Sequence, residues 1–228
     1  MRVHRFYVAS DIKLKHDFWI HDAALIHQWR KVLRFQPGQE LVLFDGLTHD
    51  RLYRIEEINE REAHLTHVTD FERRVPKQDV YLLWTLLKKD KNDWVLQKCT
   101  ELGVSHFLPL ITDRSEKLGF NRERAEKIII EAVEQSGRSD IPTVREPMHV
   151  STALDELSGK VTLYVAEQDG QDGLEGRGPR GVLIGPEGGW SDAEKVLFKT
   201  AGLPHLNIHD FTLRAETAAI TAASKLVQ

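Results

Sequence analysis

Strand-like and helix-like segments alternate from residue 78 onward, and this alternation constrains the fold more than any other feature of the sequence. Residues 80–87 form a continuous apolar run, as expected for a strand that is buried on both faces of a sheet. A helix is predicted at residues 93–102, and Gly103 is placed to end it in a left-handed conformation. Alternating strands and helices favour an α/β domain with a mainly parallel sheet. Such sheets bind ligands beyond the carboxyl ends of their strands.

The same alternation continues along the rest of the sequence. Further strands are predicted at residues 107–111, 161–166, 182–184 and 206–208, and further helices at 122–135, 192–200 and 213–226. The helix at 122–135 has an amphipathic pattern, because its apolar residues recur at i, i+3, i+4, i+7 and i+8: Ala125, Ile128, Ile129, Ala132 and Val133. These elements assign residues 78–228 to the α/β domain.

Residues 1–70 have a different pattern, which predicts a small β-barrel. Strands are predicted at residues 3–8, 40–44, 52–58 and 63–68. A helix is expected between the first two of them, with Asp22 as its N-cap. The polar segment 71–77 contains Pro76 and is the predicted linker between the two domains.

The segment 181–194 carries the strongest chemical signal. An apolar run ends in the loop Gly185-Pro186-Glu187-Gly188-Gly189, and a helix begins directly after it, where Ser191 and Glu194 form the S-x-x-E pattern of a capping box. Glycines let the backbone approach a ligand closely, and a helix N-terminus attracts anions. The pattern matches neither the usual ATP loop nor the usual dinucleotide loop. Physical reasoning alone leaves a ligand cradle and a tight structural turn equally open.

A charged pair at the start of the last predicted helix is the second candidate site. Arg214 and Glu216 lie in the first turn of an otherwise apolar, alanine-rich helix. They are either a functional pair, or a surface arginine beside a glutamate that stabilises the helix dipole. Small residues at 218, 219, 222 and 223 permit close helix packing, which also suits a dimer interface.

Basic and polar residues gather near the predicted strand-to-helix junctions in the first half of the α/β domain. They include Lys88, Lys91, Gln97, Lys98, Arg114, Ser115, Gln135 and Arg138. At such junctions they suggest contact with a phosphate or a substrate. The alternative is a solvated charged face.

Composition excludes several classes of protein. The formal net charge of −4 argues against a nonspecific nucleic-acid coat, which would be strongly basic. The single cysteine, Cys99, excludes an intrachain disulfide and is expected in the core. No metal site is expected, because His64 and His67 face opposite sides of a predicted strand. The sequence shows neither a signal peptide nor a membrane span, so we expect a cytoplasmic protein.

Together these segments resemble the RsmE-type 16S ribosomal RNA uridine-N3 methyltransferases of the SPOUT superfamily. The resemblance covers nearly the whole chain. Its most specific motifs are Ile184-Gly185-Pro186-Glu187-Gly188-Gly189 and Leu213-Arg214-Ala215-Glu216-Thr217-Ala218. Weaker matches occur in the same order at Arg5-Phe6-Tyr7-Val8, His27, Val32-Leu33-Arg34, Pro37-Gly38, Asp45-Gly46, Lys88, Asp90-Lys91, Gln97-Lys98, Glu101-Leu102-Gly103-Val104, Arg114-Ser115, Glu131-Ala132 and Gln135-Ser136-Gly137-Arg138.

The resemblance implies a fold and a set of partners. The fold would be a PUA-like RNA-binding β-barrel at residues 1–70, followed by a SPOUT α/β domain at residues 78–228 with a C-terminal trefoil knot. The methyl donor would be S-adenosylmethionine (SAM). The partners would be 16S ribosomal RNA in the small (30S) ribosomal subunit and a second copy of the chain, with neither a metal nor a membrane.

The resemblance also implies roles for individual residues. The donor would be bound by Leu183, Ile184, Gly185, Pro186, Glu187, Gly188, Gly189, Ile208, Leu213 and Thr217. Either Glu187 or Glu216 would be the general base, and Arg214 would stabilise the uridylate; the choice between the two carboxylates stays open. RNA would be contacted by Arg5, Arg34, Lys88, Lys91, Lys98, Arg114, Ser115, Gln135 and Arg138.

One departure from the family pattern falls near the expected donor. His209 stands where members usually have a glycine, so its Cβ is expected to alter the donor pocket. Two other interpretations of the chain are a noncatalytic RNA-binding factor of ribosome assembly on the same fold, and a small-molecule enzyme with a nucleotide at the glycine loop. The predicted barrel favours the methyltransferase over the small-molecule enzyme.

Overall fold

A computed structural model describes residues 3–9, 11–115, 119–171, 173–174 and 178–228 of the chain. The chain divides into two compact units. The first comprises Met1–Val75 together with Val133–Asp140, and the second comprises Pro76–Ala132 and Ile141–Gln228.

The first unit is built on a mixed sheet with the strand order β1-β3-β4-β5-β2. The strands are β1 (His4–Tyr7), β2 (Asp17–Ile20), β3 (Glu40–Phe44), β4 (Asp50–Ile58) and β5 (Ala63–Asp70). β1 pairs with β3 in parallel, and the other pairs are antiparallel. Four of these strands were expected from the sequence. β2 was not, because its four residues, DFWI, are too few to show an alternating pattern.

The helical segment of the first unit begins where the sequence predicts it. The Asp22 carboxylate caps helix α1 (Ala23–His27) by accepting from the Ala24 and Leu25 N–H groups at 2.9 and 3.0 Å. The helix then continues as a π-helical turn, Gln28–Val32, which hydrophobic periodicity does not distinguish from an α-helix. Trp29 in this turn is fully buried and packs against Phe6 of β1.

A buried polar cluster ties Val133–Asp140 into the first unit. The Asp50 carboxylate is 1% exposed and accepts from Arg5 Nη2 at 2.7 Å and from Ser139 Oγ at 2.6 Å. Arg138 is also buried and pairs with Asp140 at 2.6 Å. Pairing makes the burial of these charges tolerable, and removal of one partner would leave a buried charge uncompensated.

The second unit is an α/β domain with a parallel sheet, as predicted. Its strands are β6 (Val80–Thr85), β7 (His106–Ile111), β8 (Thr143–Val144), β9 (Met148–His149), β10 (Thr162–Gln171), β11 (Arg180–Ile184) and β12 (His205–Leu206). Its helices are α2 (Lys89–Leu102), α3 (Arg122–Ser136), α4 (Val150–Leu157), α5 (Asp192–Thr200) and α6 (Ala215–Leu226); residues 133–136 at the end of α3 belong to the first unit. The strand order is β12-β10-β11-β6-β7-β8, β9 also pairs with β7, and every strand pair is parallel.

Helices α2 and α6 pack against each other, and α6 also packs on β6 and β11. Gly103 ends α2 with φ +115°, as its position in the sequence predicts. Cys99 of α2 is fully buried, which confirms its predicted place in the core, and burial raises the pKa of its thiol. Ala219, Ala222 and Ala223 of α6 are fully buried too, so the small-residue face of this helix belongs to the packed interior.

The sequence reasoning missed three short elements of the second unit: β8, β9 and α4. Within the described ranges, no helix is long and apolar enough to cross a membrane. The described His, Cys, Asp and Glu residues also form no group that could hold a metal ion.

Candidate functional site

A cavity of about 390 Å³ opens beyond the carboxyl ends of β11 and β12, at the edge where a parallel sheet is expected to bind ligands. One wall is the glycine loop, residues 185–189, which directly follows β11. The facing wall runs from Ile208 to Leu213 and into the start of α6. The lining also includes Ala166, Glu167, Gln168, Ile184, Trp190, Lys195, Ala215 and Ala218.

Gly185 must be a glycine because of its neighbour Trp190. A Cβ at position 185 would lie 2.9 Å from Cε2 of the buried Trp190 indole. Later in the loop, Gly189 has φ +71°, and its N–H donates to the Pro186 carbonyl oxygen at 2.8 Å. The capping box predicted at Ser191 and Glu194 is present and begins α5 directly after the loop. The loop is therefore a well-defined turn as well as a cavity wall.

The facing wall is anchored from two directions. The Asn207 side chain donates to the Gln168 carbonyl oxygen at 3.1 Å, and Lys225 Nζ donates to the Asn207 carbonyl oxygen at 3.0 Å. Beyond this anchor, His209 Nδ1 accepts from the Phe211 N–H at 3.0 Å and closes a short turn. Phe211 is 74% exposed and belongs to the cavity lining. His209 does not have positive φ, so this backbone takes a Cβ without strain.

A second cavity of about 280 Å³ adjoins the first. Its lining consists of Leu86, Leu87, Lys88, Lys91, Arg114, Ser115, Pro186, Glu187 and Gly188. Arg114 and residues 186–188 line both cavities, so they form the partition between them. Three cations and one carboxylate line the second cavity, which suits an anionic ligand.

Two candidate carboxylates meet one lysine beside this partition. Lys91 Nζ donates to Glu187 Oε1 at 2.9 Å and lies 3.3 Å from Glu216 Oε2. The hydrogen bond from Lys91 lowers the pKa of Glu187, and the same contact raises the pKa of Lys91. The Glu187 side chain is 68% exposed, whereas that of Glu216 is 7% exposed. Glu187 can therefore reach a ligand in either cavity, while Glu216 is held inside.

Arg114 is held in place by a buried glutamate. Arg114 Nη1 donates to the Gly188 carbonyl oxygen at 2.9 Å. Next to it, the Asp113 N–H donates to Glu194 Oε1 at 3.1 Å, and the other oxygen of this carboxylate accepts from the Ser191 N–H at 2.8 Å. Glu194 thus joins the start of α5 to the turn that carries Arg114. The sequence pattern indicates only the capping half of this role.

Most residues of the predicted donor-binding set lie together. Ile184, Gly185, Pro186, Glu187, Gly188, Gly189, Ile208 and Leu213 all line the larger cavity. Leu183 is fully buried within β11 and Thr217 is exposed on α6, and neither side chain lines that cavity. Arg214 is exposed at the N-cap of α6 and lines neither cavity.

The predicted RNA-binding set divides by location. Lys88, Lys91, Arg114 and Ser115 all line the second cavity. Lys98 lies further along α2 and pairs with Glu101 at 2.9 Å. Gln135 is exposed near the end of α3.

Gln135 and the remaining predicted RNA contacts lie in the first unit, and two of the remaining ones have largely buried side chains. Arg5 and Arg138 have side chains that are 15% and 8% exposed, and they pair with Asp50 and Asp140. Both guanidinium groups are thus engaged by carboxylates in this structure, and their contact with RNA stays a prediction. Arg34 is exposed, with φ +56°.

Several lining residues were not anticipated from the sequence: Gln168, Trp190, Lys195 and Phe211. Trp190 directly follows the glycine loop, so its position was a usable signal. Gln168 lies late in β10, and only the parallel pairing of β10 with β11 and β12 brings it to the cavity.

Comparison with protein families matches both parts of the chain. Residues 74–227 match the model of an RNA methyltransferase domain, and residues 30–66 match that of an RNA methyltransferase PUA domain. The chain is 26% identical to the ribosomal RNA small subunit methyltransferase E of Rickettsia conorii, over 99% of this chain and 96% of that protein.

Two solved structures are similar over almost the whole chain. The ribosomal RNA small subunit methyltransferase E of Neisseria gonorrhoeae, bound to S-adenosyl methionine, superposes with a TM-score of 0.87 at 25% identity. A putative methyltransferase from Legionella pneumophila, in complex with SAM, superposes with a TM-score of 0.87 at 28% identity. Each comparison covers 99% of this chain and 97% of the other.

Proposed function

Because this chain belongs to the RNA methyltransferase family, we propose that it transfers a methyl group from SAM to N3 of a uridine in 16S ribosomal RNA. The relatives at 25–28% identity support the ribosomal RNA substrate and the donor, since they carry that name or contain SAM. The observation that carries the proposal is the pair of adjoining cavities with Glu187 in the partition.

The larger cavity fits the donor. Its apolar residues, among them Ile208, Leu213 and Trp190, would pack against the adenine ring, and the glycine loop presents backbone groups without side chains in the way. At Gly185 a larger residue would collide with the Trp190 indole, so the loop can keep this backbone position only with a glycine. SAM supplies a methyl group on a positively charged sulfur, and displacement at that carbon is in line. The walls therefore act mainly by orientation.

The second cavity fits the acceptor. Uridine N3 carries a proton and becomes a good nucleophile only when the proton leaves, so the site needs a base and a cation to stabilise the uridylate. Glu187 faces both cavities, and we assign it the role of proton acceptor. Lys88 and Arg114 provide positive charge beside the acceptor. In the balanced reaction the N–H bond and the bond from sulfur to methyl break, the bond from N3 to carbon forms, and the carboxylate takes the proton.

This assignment changes the roles expected from the sequence. Glu216 is buried and lines neither cavity, so it is the weaker candidate for the base. Arg214 also lines neither cavity, but it is exposed at the start of α6 and its charge helps to lower the pKa of Glu187, so it remains a proposed stabilising cation. N3 lies on the base-pairing edge, so the target uridine must be unpaired or flipped out of its stack.

The wider assembly belongs to the same proposal. Residues 1–70 would act as a PUA-like RNA-binding domain, residues 71–77 as the linker and residues 78–228 as the SPOUT domain with its C-terminal trefoil knot. The parallel order in which β11 lies between β10 and β6 supports that topology. We further propose a homodimer that acts on the 30S subunit in the cytoplasm.

The test is methylation in vitro. The protein and SAM are incubated with 30S subunits from a strain that lacks the corresponding gene, and the RNA is digested for nucleoside mass spectrometry. We expect N3-methyluridine at one site, which also stops reverse transcription because the methylated base cannot pair. Glu187→Gln is expected to lower kcat by about 100-fold or more, since general-base catalysis contributes 10²–10⁴-fold.

The alternative functions predict other results. Binding to 30S subunits without any methylation would instead support a noncatalytic assembly factor. Methylation at another atom or in another RNA would refute the uridine-N3 assignment while leaving the donor site intact.

A further inference from the structure

Lys91 joins the two walls of the larger cavity from outside that cavity. It lies in the first turn of α2 and does not line the cavity itself. Its ammonium group contacts Glu187 of the glycine loop and Glu216 in the first turn of α6. These two segments face each other across the cavity, because residues 185–189 form one wall while Leu213, Ala215 and Ala218 belong to the other.

Glu216 needs this contact because its carboxylate is buried. Its side chain is 7% exposed, and Oε2 has no hydrogen-bond partner among the described atoms beyond the ion pair with Lys91 at 3.3 Å. An ionised carboxylate removed from water without a counter-charge is costly. The Lys91 ammonium and the N-terminal end of α6 together provide the compensating positive charge.

Glu187 needs the contact for a different reason. It lies on an exposed loop, where a free glutamate side chain would sample several rotamers. Both carboxylates contact the same ammonium group, so they lie close together and would repel each other without it. The three residues thus form a charge bridge, which we call the Lys91 bridge, from α2 to both cavity walls.

We propose that Lys91 is a positioning residue, which holds the glycine loop and the start of α6 at the separation that SAM binding requires. This inference rests on the proposed function, and it differs from the phosphate contact that the sequence resemblance implies for Lys91. Two acidic partners already occupy its ammonium group, so an RNA phosphate would have to displace them.

The test measures SAM affinity by calorimetry in the absence of RNA, so any effect must come through the donor site. Lys91→Gln is expected to weaken SAM binding roughly tenfold to 100-fold, because the two cavity walls lose the shared cation that preorganises them and preorganisation lowers the cost of binding. Lys91→Arg should retain most of the affinity, because a guanidinium can still bridge two carboxylates. Lys199→Gln, at an exposed position on α5, should leave the affinity unchanged.

A double variant separates the bridge from a general loss of folding. The double variant Lys91→Gln/Glu187→Gln lacks one of the two carboxylate charges that repel each other. Its loss of SAM affinity should therefore be smaller than the sum of the losses in the two single variants. Thermal unfolding without ligand identifies any variant that fails to fold. If Lys91→Gln is such a variant, the SAM affinities of Lys91→Arg and Glu187→Gln still test the Lys91 bridge, because the first variant keeps both contacts and the second loses one carboxylate charge.

The possible outcomes are distinct. Unchanged SAM affinity in Lys91→Gln, or additive losses in the double variant, would overturn the Lys91 bridge. A normal SAM affinity combined with a weaker salt dependence of RNA binding would overturn it in favour of a phosphate contact. Failure of the unaltered protein to bind SAM would instead overturn the proposed function.

Discussion

Gly185 and Gly188 lie in the same loop but in very different surroundings. A Cβ at Gly185 would meet the Trp190 indole at 2.9 Å, whereas a Cβ at Gly188 would meet Arg114 Cβ at an ordinary 3.8 Å. Gly185→Ala is therefore expected to reduce the free energy of unfolding by about 1–3 kcal/mol, as overpacking does, because the buried indole has to move. Gly188→Ala should change it by less than about 0.5 kcal/mol. Urea denaturation of both variants checks this, and equal effects would contradict it.

Asp45 links the stability of the first unit to pH. Burial raises the pKa of its carboxyl group, but hydrogen bonds from the His49, Thr48 and Leu47 backbone and from the Thr48 hydroxyl outweigh this, so the pKa lies well below its usual value. Since the folded state favours the ionised form, this contribution to stability is complete above the usual pKa of about 4 and is lost as pH falls below it.

Asp45→Asn tests this linkage. The variant is expected to be less stable than the unaltered protein at pH 7. The difference should shrink as pH falls from 5 to 3, because the Asp45 carboxyl group of the unfolded chain takes up protons in this range while that of the folded protein stays ionised. Urea denaturation at several pH values measures it. If the difference in the free energy of unfolding stays constant over this pH range, the charge of the Asp45 carboxylate does not contribute to stability.

At the scale of elements, local patterns predicted most helices and strands well. The strand Glu40–Phe44 and the helix Asp192–Thr200 have the bounds expected from the sequence, because each has a clear periodicity and is followed or preceded by a turn or cap. Helix α4 has the same kind of signal, with buried residues at i, i+3, i+4 and i+7, and was overlooked because it is short. The two-residue strands β8 and β9 have no local signal, since only their pairing with β7 defines them.

Glu194 determines how two elements are joined. Its buried carboxylate accepts from the Ser191 and Asp113 N–H groups, so Glu194→Ala removes a cap and leaves two donors without their partner. We expect a loss of about 1–3 kcal/mol in the free energy of unfolding. Glu123→Ala, at an exposed acidic position in the first turn of α3, is the matched control and should cost less than about 0.5 kcal/mol. Similar losses in the two variants would argue against the joining role of Glu194.

At the scale of the whole molecule, charge is unevenly distributed. Residues 139–228 carry 8 basic and 13 acidic side chains, a net charge of −5, whereas residues 1–74 are neutral and residues 75–138 carry +1. The proposed acceptor cavity takes Lys88, Lys91 and Arg114 from the slightly positive segment and Glu187 from the acidic one. This distribution favours recognition of one structured RNA site by a few placed cations over nonspecific coating of RNA.

The salt dependence of RNA binding tests that interpretation. Lys88 is exposed in the acceptor cavity, so Lys88→Gln should weaken binding to 30S subunits and reduce the slope of log K against log salt by about 0.7–0.9, the value for one phosphate contact. Lys160→Gln removes an equal charge at an exposed position after α4 and should leave the slope unchanged. Equal slopes for Lys88→Gln and the unaltered protein would remove Lys88 from the RNA contacts.

Sequence reasoning located the pieces of the site but not their contacts. The glycine loop and the Leu213–Ala218 motif were found because each has a local pattern. The Lys91 bridge was not, because Lys91 and Glu187 are 96 positions apart and only the order of the parallel strands brings them together. The same holds for Arg5, because its partner Asp50 is 45 positions away and only the fold brings the two side chains together.

The buried thiol of Cys99 makes the second unit unusually simple to monitor. The chain has a single cysteine, it is fully enclosed on α2, and its raised pKa keeps it protonated. Since the thiolate is the form that attacks thiol reagents, Cys99 can be labelled only when α2 separates from its neighbours. The rate of modification therefore reports how often this part of the chain opens. Because Cys99 does not react in the folded protein, a cysteine introduced on the surface could be labelled selectively with a fluorescent probe.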